Sequence, residues 1–156
     1  MPKSKDNELK PKNGRQLRVL IVARISTDKQ DEKSLADQIA YCRENVADLA
    51  NLPCDWCEIQ SQGSGEHLDR PELLRLTALI EEGDWDLLIC EDLGRICRRI
   101  QAIVFCEHCE DCNTRVIAIN DSVDTADDDW RERSCFAAMR HERYNKDTAK
   151  RIRRTH

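Results

Sequence analysis

No stretch of this 156-residue chain is apolar for long enough to cross a membrane. The lysines near its N-terminus are not followed by the apolar run of a secretory signal. The chain has no G-x-x-x-x-G-K-[ST] loop, which removes P-loop nucleotide chemistry. It has no internal repeat and no low-complexity segment. The first predicted strand does not end in acidic residues, as a phospho-accepting receiver domain would require. Cysteine is not scarce, with nine residues, but nothing indicates a secretory context, so the thiols are read as reduced and cytoplasmic. In "CEHCEDC", Cys106, Cys109 and Cys112 resemble metal-ligand spacing, with His108 between them and "CDWC" (Cys54, Cys57) upstream. No clean second C-x-x-C pair stands at zinc-ribbon distance. The expectation is therefore free thiols, some in the core, with neither metal nor cofactor.

The remaining composition is that of a folded domain, 40% hydrophobic and 35% charged. Its formal net charge of −5 argues against a protein that coats nucleic acid indiscriminately. The charge is unevenly spread. From Arg140 to Arg154 seven Arg or Lys residues face only Glu142 and Asp147, which leaves the rest of the chain near −10. A basic end on an acidic body fits an anionic partner at that end, and equally a solvated helix end.

Residues 1–17, with two prolines, a glycine and no periodic apolar pattern, read as a flexible leader. Arg18 to Ser26 reads as a strand buried on both faces. Ser34 followed by Asp37 is a capping-box signal for a helix whose apolar positions are Leu35, Ile39, Cys42, Val46 and Leu49. A second strand is expected over Trp56–Gln60, then a glycine-containing loop. Asp69, Pro71 and Glu72 start a helix that Gly83 stops. Asp86–Cys90 and Arg115–Asn120 are further strands, separated by a helix through Ile100, Ile103 and Val104. A long polar helix runs from about Ala126 to the end. This alternation predicts an open, mostly parallel α/β sheet of four to five strands with helices on both faces, then a long C-terminal helix. The expected division is a flexible leader 1–17, an α/β domain 18–125 and a long helix 126–156, the last too long and too charged to pack entirely on this domain.

Sites in such sheets form outside the carboxyl ends of the strands. Arg24 and Ser26 stand at the first of these ends. His67, Asp69 and Arg70 follow the second, Glu91, Asp92, Arg95 and Arg98 the third, and Asn120 and Asp121 the fourth. A hydroxyl among guanidinium forks suits phosphoryl transfer: the forks neutralise and hold phosphate oxygens while serine attacks phosphorus. No base is pinned beside Ser26 by spacing, and His67 lies in the loop. Taken singly, Ser26 also fits a turn or a helix cap, and Arg95 and Arg98 fit a solvated face paired with Glu91 and Asp92.

"VARISTDKQDEKSLADQ", "SGEHLDRPEL", "EDLGRICRR" and "RHERYNKDTAKRIRR" resemble the catalytic domain of the serine site-specific recombinases, the resolvase/invertase family. The insertion in the first segment and the "HLDRPEL" loop are most similar to its large members. The resemblance implies that Ser26 is the nucleophile, that Arg24, Arg70, Arg95 and Arg98 are the active-site arginines, and that Gln30, Gln38 and Asp92 support them. It implies double-stranded DNA sites as partners, and a homodimer that becomes a homotetramer on synapsis. It makes 18–125 the catalytic domain and 126–156 the dimerisation helix, whose basic end (Arg143, Lys146, Lys150, Arg151, Arg153 and Arg154) would cross the DNA toward DNA-binding domains beyond the sequence. The implied setting is bacterial or phage DNA, without a membrane. The alternative is a catalytically inactive relative that only binds DNA or dimerises. The chain departs from the family pattern at Val22, where many relatives have tyrosine, and at Gly94, where many have aspartate or serine. It departs again at Leu79, where small resolvases carry lysine.

Overall fold

The computed structural model describes residues 8–25, 32–62 and 67–155, with side chains omitted for 32–34, 142 and 144–155. Strand β1 (Leu17–Ile25) is followed by α1 (Glu32–Leu49), β2 (Cys54–Gln62), α2 (Arg70–Glu81) and β3 (Leu87–Cys90). A 3-10 turn (Leu93–Arg95) leads into α3 (Ile100–Asp111), then β4 (Arg115–Ala118), β5 (Val123–Asp124) and α4 (Trp130–Thr155). The sheet order is β2-β1-β3-β4-β5. Strands β1 to β4 run parallel, and β5 closes the edge antiparallel to β4. This is the expected doubly covered α/β sheet, with β5 the fifth strand.

The continuous apolar run of β1 follows from its central place. Leu17, Val19 and Ile21 face one layer, with Cys42 and Val46 of α1 and Leu87, Ile89 and Ile117 of the neighbouring strands. Leu20 and Val22 face the other, with Leu76 and Ile80 of α2, Phe105, Cys106 and Cys109 of α3, and Trp130 at the start of α4. Between Val19 and Ala23, with alternate residues in two dry layers, the strand has no polar position to offer; its two arginines, Arg18 and Arg24, stand near its ends.

Three details differ from the sequence expectation. Helix α1 begins at Glu32, so Ser34 lies in its first turn and does not cap it; Glu32 and Lys33 are good helix formers and extend the helix upstream. Helix α4 begins at Trp130, after a turn in which the Trp130 N–H reaches the Asp127 carbonyl. Residues 8–16, read as part of a flexible leader, are docked against the body. The Lys12 N–H donates to Asp86 Oδ1 at 2.9 Å, and its ammonium reaches the carbonyls of Gly83 and Trp85, each at 2.8 Å. Leu9 packs against the α1-side core. Gly14, at φ +72, makes the turn that returns the chain to β1. Asp86 also accepts the Arg18 N–H at 2.8 Å, so one carboxylate holds both the arm and the first strand.

No helix among the described residues is long and apolar enough to cross a membrane. Truncating Ile21, fully buried in the central strand, to alanine is expected to cost about 2–5 kcal/mol, measured as a lowered urea midpoint at unchanged slope.

Candidate active site

Strand β1 leaves the sheet at Ile25, directly before Ser26. Ser26 and Gln30 lie outside the described residues, so the structure shows what surrounds the approach to them. Arg24 is completely buried there. Its peptide is clamped by Gln38, one and a half turns into α1: the Arg24 N–H donates to Gln38 Oε1 at 3.1 Å, and Gln38 Nε2 donates to the Arg24 carbonyl at 2.9 Å. A side-chain amide thus continues the ladder past Val22, the last β1 residue that pairs with β3, which answers the rule that buried backbone groups find partners. The same carbonyl accepts the Arg95 guanidinium at 2.8 Å.

Arg95 is carried by the turn after β3 and flanked by carboxylates, Glu91 at 3.5 Å and Asp92 at 3.4 Å. Arg24 points into the body, its NH1 reaching the Ile25 carbonyl at 3.3 Å and its NH2 lying 3.8 Å from Asp69. Asp69 is half exposed and immediately precedes α2, whose first residue is Arg70. The stretch carrying His67 and Asp69 is anchored between them: Leu68 is buried, and its N–H donates to the Ile96 carbonyl at 3.3 Å. The end of this loop is therefore held in place. Leu68 is the apolar plug that holds it to the turn after β3.

Arg24, Gln38, Asp69, Asp92 and Arg95 are thus brought together by direct contacts. Arg70 and Arg98 stand exposed, each without an ion-pair partner among the described residues. The two kinds of guanidinium differ in what they can do. Those tied to carboxylates and carbonyls are already oriented, whereas the free ones are open to an anion.

A network not read from the sequence lies beside this one. Tyr41, one turn beyond Gln38 on α1, donates its hydroxyl to Asn120 Oδ1 at 3.0 Å. Asn120 Nδ2 in turn reaches Glu91 Oε1 at 3.3 Å, and the Asn120 N–H reaches the Glu91 carbonyl at 2.8 Å. The spacing of Gln38 and Tyr41, three apart on one helix, was the available signal; their partners, Arg24 and Asn120, lie 14 and 79 residues away.

The family model for the resolvase N-terminal domain matches residues 19–155. The chain belongs to the resolvase family. Among solved structures, the N-terminal catalytic domain of TP901-1 integrase matches at a TM-score of 0.60 and 20% identity, covering 83% of this chain and 97% of that one. A resolvase family site-specific recombinase from Streptococcus pneumoniae matches at 0.60 and 19%, covering 90% and 98%. The C-terminal catalytic domain of ISC1926 TnpA, an IS607-like serine recombinase, matches at 0.55 and 24%, covering 65% and 69%. No curated protein sequence matches. The fold is that of the serine recombinase catalytic domains.

The departures from the resolvase pattern have local explanations. Val22 is fully buried in the α2/α3 layer, where a tyrosine would overpack. Leu79 is packed against the same layer, so an apolar residue fits this position better than an ammonium. At Gly94 an added Cβ would stand 2.9 Å from Asp92 Oδ1. The Asp92 carboxylate occupies that space and keeps a polar group beside Arg95.

Of the basic residues expected to meet DNA, Arg143 is exposed on α4. The side chains of Lys146, Lys150, Arg151, Arg153 and Arg154 lie outside the described residues, although the helix backbone continues through them to Thr155. Among the described residues no group of three His, Cys, Asp or Glu could hold a metal ion. Cys106 and Cys109 are buried in α3, and Cys112 ends that helix. Burial pushes the Cys106 thiol up to about 12 and raises Cys109 further, so both are held protonated in these surroundings.

Two outcomes follow from this geometry. Gln38→Ala removes the acceptor of the Arg24 N–H and one of the two donors to its carbonyl, which keeps Arg95, and should cost about 2 kcal/mol in a denaturant titration. With iodoacetamide at about pH 8, exposed Cys135 should be alkylated in the native protein, while Cys106 and Cys109 react only after unfolding, as peptide mass mapping would read.

Proposed function

We propose that this chain is the catalytic domain of a serine site-specific recombinase that cuts and rejoins double-stranded DNA through Ser26. The observation that carries this reading is the clamp on Arg24. A buried guanidinium, a glutamine and Arg95 converge on the peptide that precedes the serine by two residues, with Arg70 and Arg98 left open at the same sheet edge. Rigid strand geometry lets a nucleophile be presented without reorganisation, and preset cations supply the charge stabilisation that phosphoryl transfer needs.

In the proposed reaction the Ser26 hydroxyl loses its proton and its oxygen attacks a backbone phosphorus. The P–O bond to the 3′ oxygen breaks, and that oxygen leaves as a free 3′-hydroxyl. The strand stays attached to the protein as a 5′-phosphoserine ester. Rejoining is the reverse attack by a 3′-hydroxyl, so bond energy is conserved and neither metal nor high-energy cofactor is called for. Arg70 and Arg98 would bind the phosphate oxygens directly. Arg24, Gln38, Arg95 and Asp92 would hold the strand end. The basic half of α4 would lie along the DNA backbone, and the working unit would be a homodimer that pairs with a second one at synapsis, acting on bacterial or phage DNA.

The decisive experiment is covalent trapping of the natural full-length protein on the DNA flanking its gene. Denaturant quenching should leave protein on a 5′ end, and Ser26→Ala should abolish the adduct. Arg70→Ala and Arg98→Ala should each slow adduct formation by about 10²–10³-fold while the protein remains folded. Specific binding without any adduct would instead support a domain that only binds DNA or dimerises.

A further inference from the structure

Asp121 follows β4 and is almost completely buried, its side chain only 5% exposed. A carboxylate so far from water must be met by donors. Three groups meet it, and they come from two different parts of the fold. Its Oδ2 accepts the N–H of Leu93 at 2.8 Å, the first residue of the turn that carries Arg95. His141 of α4 brings Nε2 to 3.2 Å from Oδ1 and 3.4 Å from Oδ2. Arg140, next to it on α4, lies 3.7 Å away.

The turn itself is short and leaves Arg95 little freedom. The Arg95 N–H reaches the Asp92 carbonyl at 3.2 Å, and the Ile96 and Cys97 N–H groups both reach the Leu93 carbonyl. Arg95 then reaches the Arg24 carbonyl. A contiguous chain of polar contacts therefore runs from α4 through His141, Asp121 and Leu93 to Arg95 and the end of β1. Gly94 lies against this chain: a Cβ there would stand 2.9 Å from Asp92 Oδ1 and in ordinary contact with the His141 ring at 3.7 Å. A side chain at position 94 would have to displace the Asp92 carboxylate.

We propose that Asp121 is a positioning residue that ties the turn carrying Arg95 to helix α4 through His141, so that seating the helix and placing the arginine are one event. The role assigned to Arg95 rests on the recombinase reading above; the mechanical tie does not. The groups facing the imidazole are Asp121 from the β4–β5 connection, Asp92 from the turn after β3, and Arg140 from its own helix. The hydrogen bond to Asp121 holds the His141 pKa above its ordinary value, burial opposes this, the charges of Asp121 and Asp92 add to it, and Arg140 subtracts. A raised folded-state pKa means that this contribution is fully present below the unfolded value and is lost as pH rises through the folded one. The tie is thus strongest in mild acid and slackens toward alkaline pH.

The test uses the full-length protein and two readouts, one of them independent of DNA chemistry. Amide hydrogen exchange at Leu93 is followed between about pH 5.5 and 9, after correction for intrinsic exchange, in wild type, His141→Ala and His141→Gln. Single-turnover adduct formation is followed in the same proteins as a function of DNA concentration. In His141→Ala, Leu93 protection should fall and the maximal cleavage rate should drop about tenfold, with the half-saturating DNA concentration nearly unchanged. His141→Gln, which keeps a donor, should recover much of the loss and flatten the pH dependence. Leu93 protection that is the same in all three proteins and at all pH values would overturn the tie. Equal losses in binding and rate, with Leu93 unprotected, would overturn the link to Arg95. If wild type forms no adduct, the recombinase reading fails while the exchange experiment still decides the tie.

Discussion

A guanidinium with no exposure to water has to be supplied with partners, and Arg24 imposes that demand at the point where the central strand leaves the sheet. Its solution determines much of the local architecture. Asp69 has to approach from the start of α2, which requires Leu68 to be buried and the preceding loop to be pinned to Ile96. The peptide of Arg24 has to be closed by Gln38, which sets the rotation of α1 over the sheet. Arg95 has to reach the same carbonyl, which draws the turn after β3 across the strand end. Three elements from distant parts of the chain are located by one buried cation and the two polar groups of its backbone.

The scaffold was readable from local pattern, because strands buried on both sides have nothing but apolar residues to show. The runs at Val19–Ala23 and Leu87–Cys90 could hardly be anything else, and the loop-helix alternation between them left one sensible topology. The meeting of Arg24 with Arg95 was readable for the same reason: once the strand ends were placed, so were the residues just past them. What escaped was pairing at a distance. Neither the reciprocal geometry of Gln38 with Arg24 nor the meeting of His141 with Asp121 leaves a mark on neighbouring residues. Lys12 looked like one more charge in a polar leader, since the carbonyls and carboxylate it meets lie about seventy positions onward. Ser34 carried a capping signature that the preceding helix formers overrode.

Two of the cysteines show that interval and environment carry different information. In α3, Cys106 and Cys109 resemble ligands by interval, but both turn into the layer between α3 and the sheet with Phe105 and Ala102. Thiols in such surroundings behave as small apolar groups, and removing a proton from one there is strongly opposed.

The strand order carries a consequence for how the molecule comes into being. The first strand in the chain is the central one, flanked by β2 on one side and β3 on the other. As a ribosome delivers the sequence, that apolar ribbon has an open edge until residue 90 has appeared, and Arg24 has no complete set of neighbours until residue 95. Parallel pairings of this kind close long loops and form slowly. The strand end and its guanidinium cage are therefore assembled late, as a product of the whole fold and not of any segment within it.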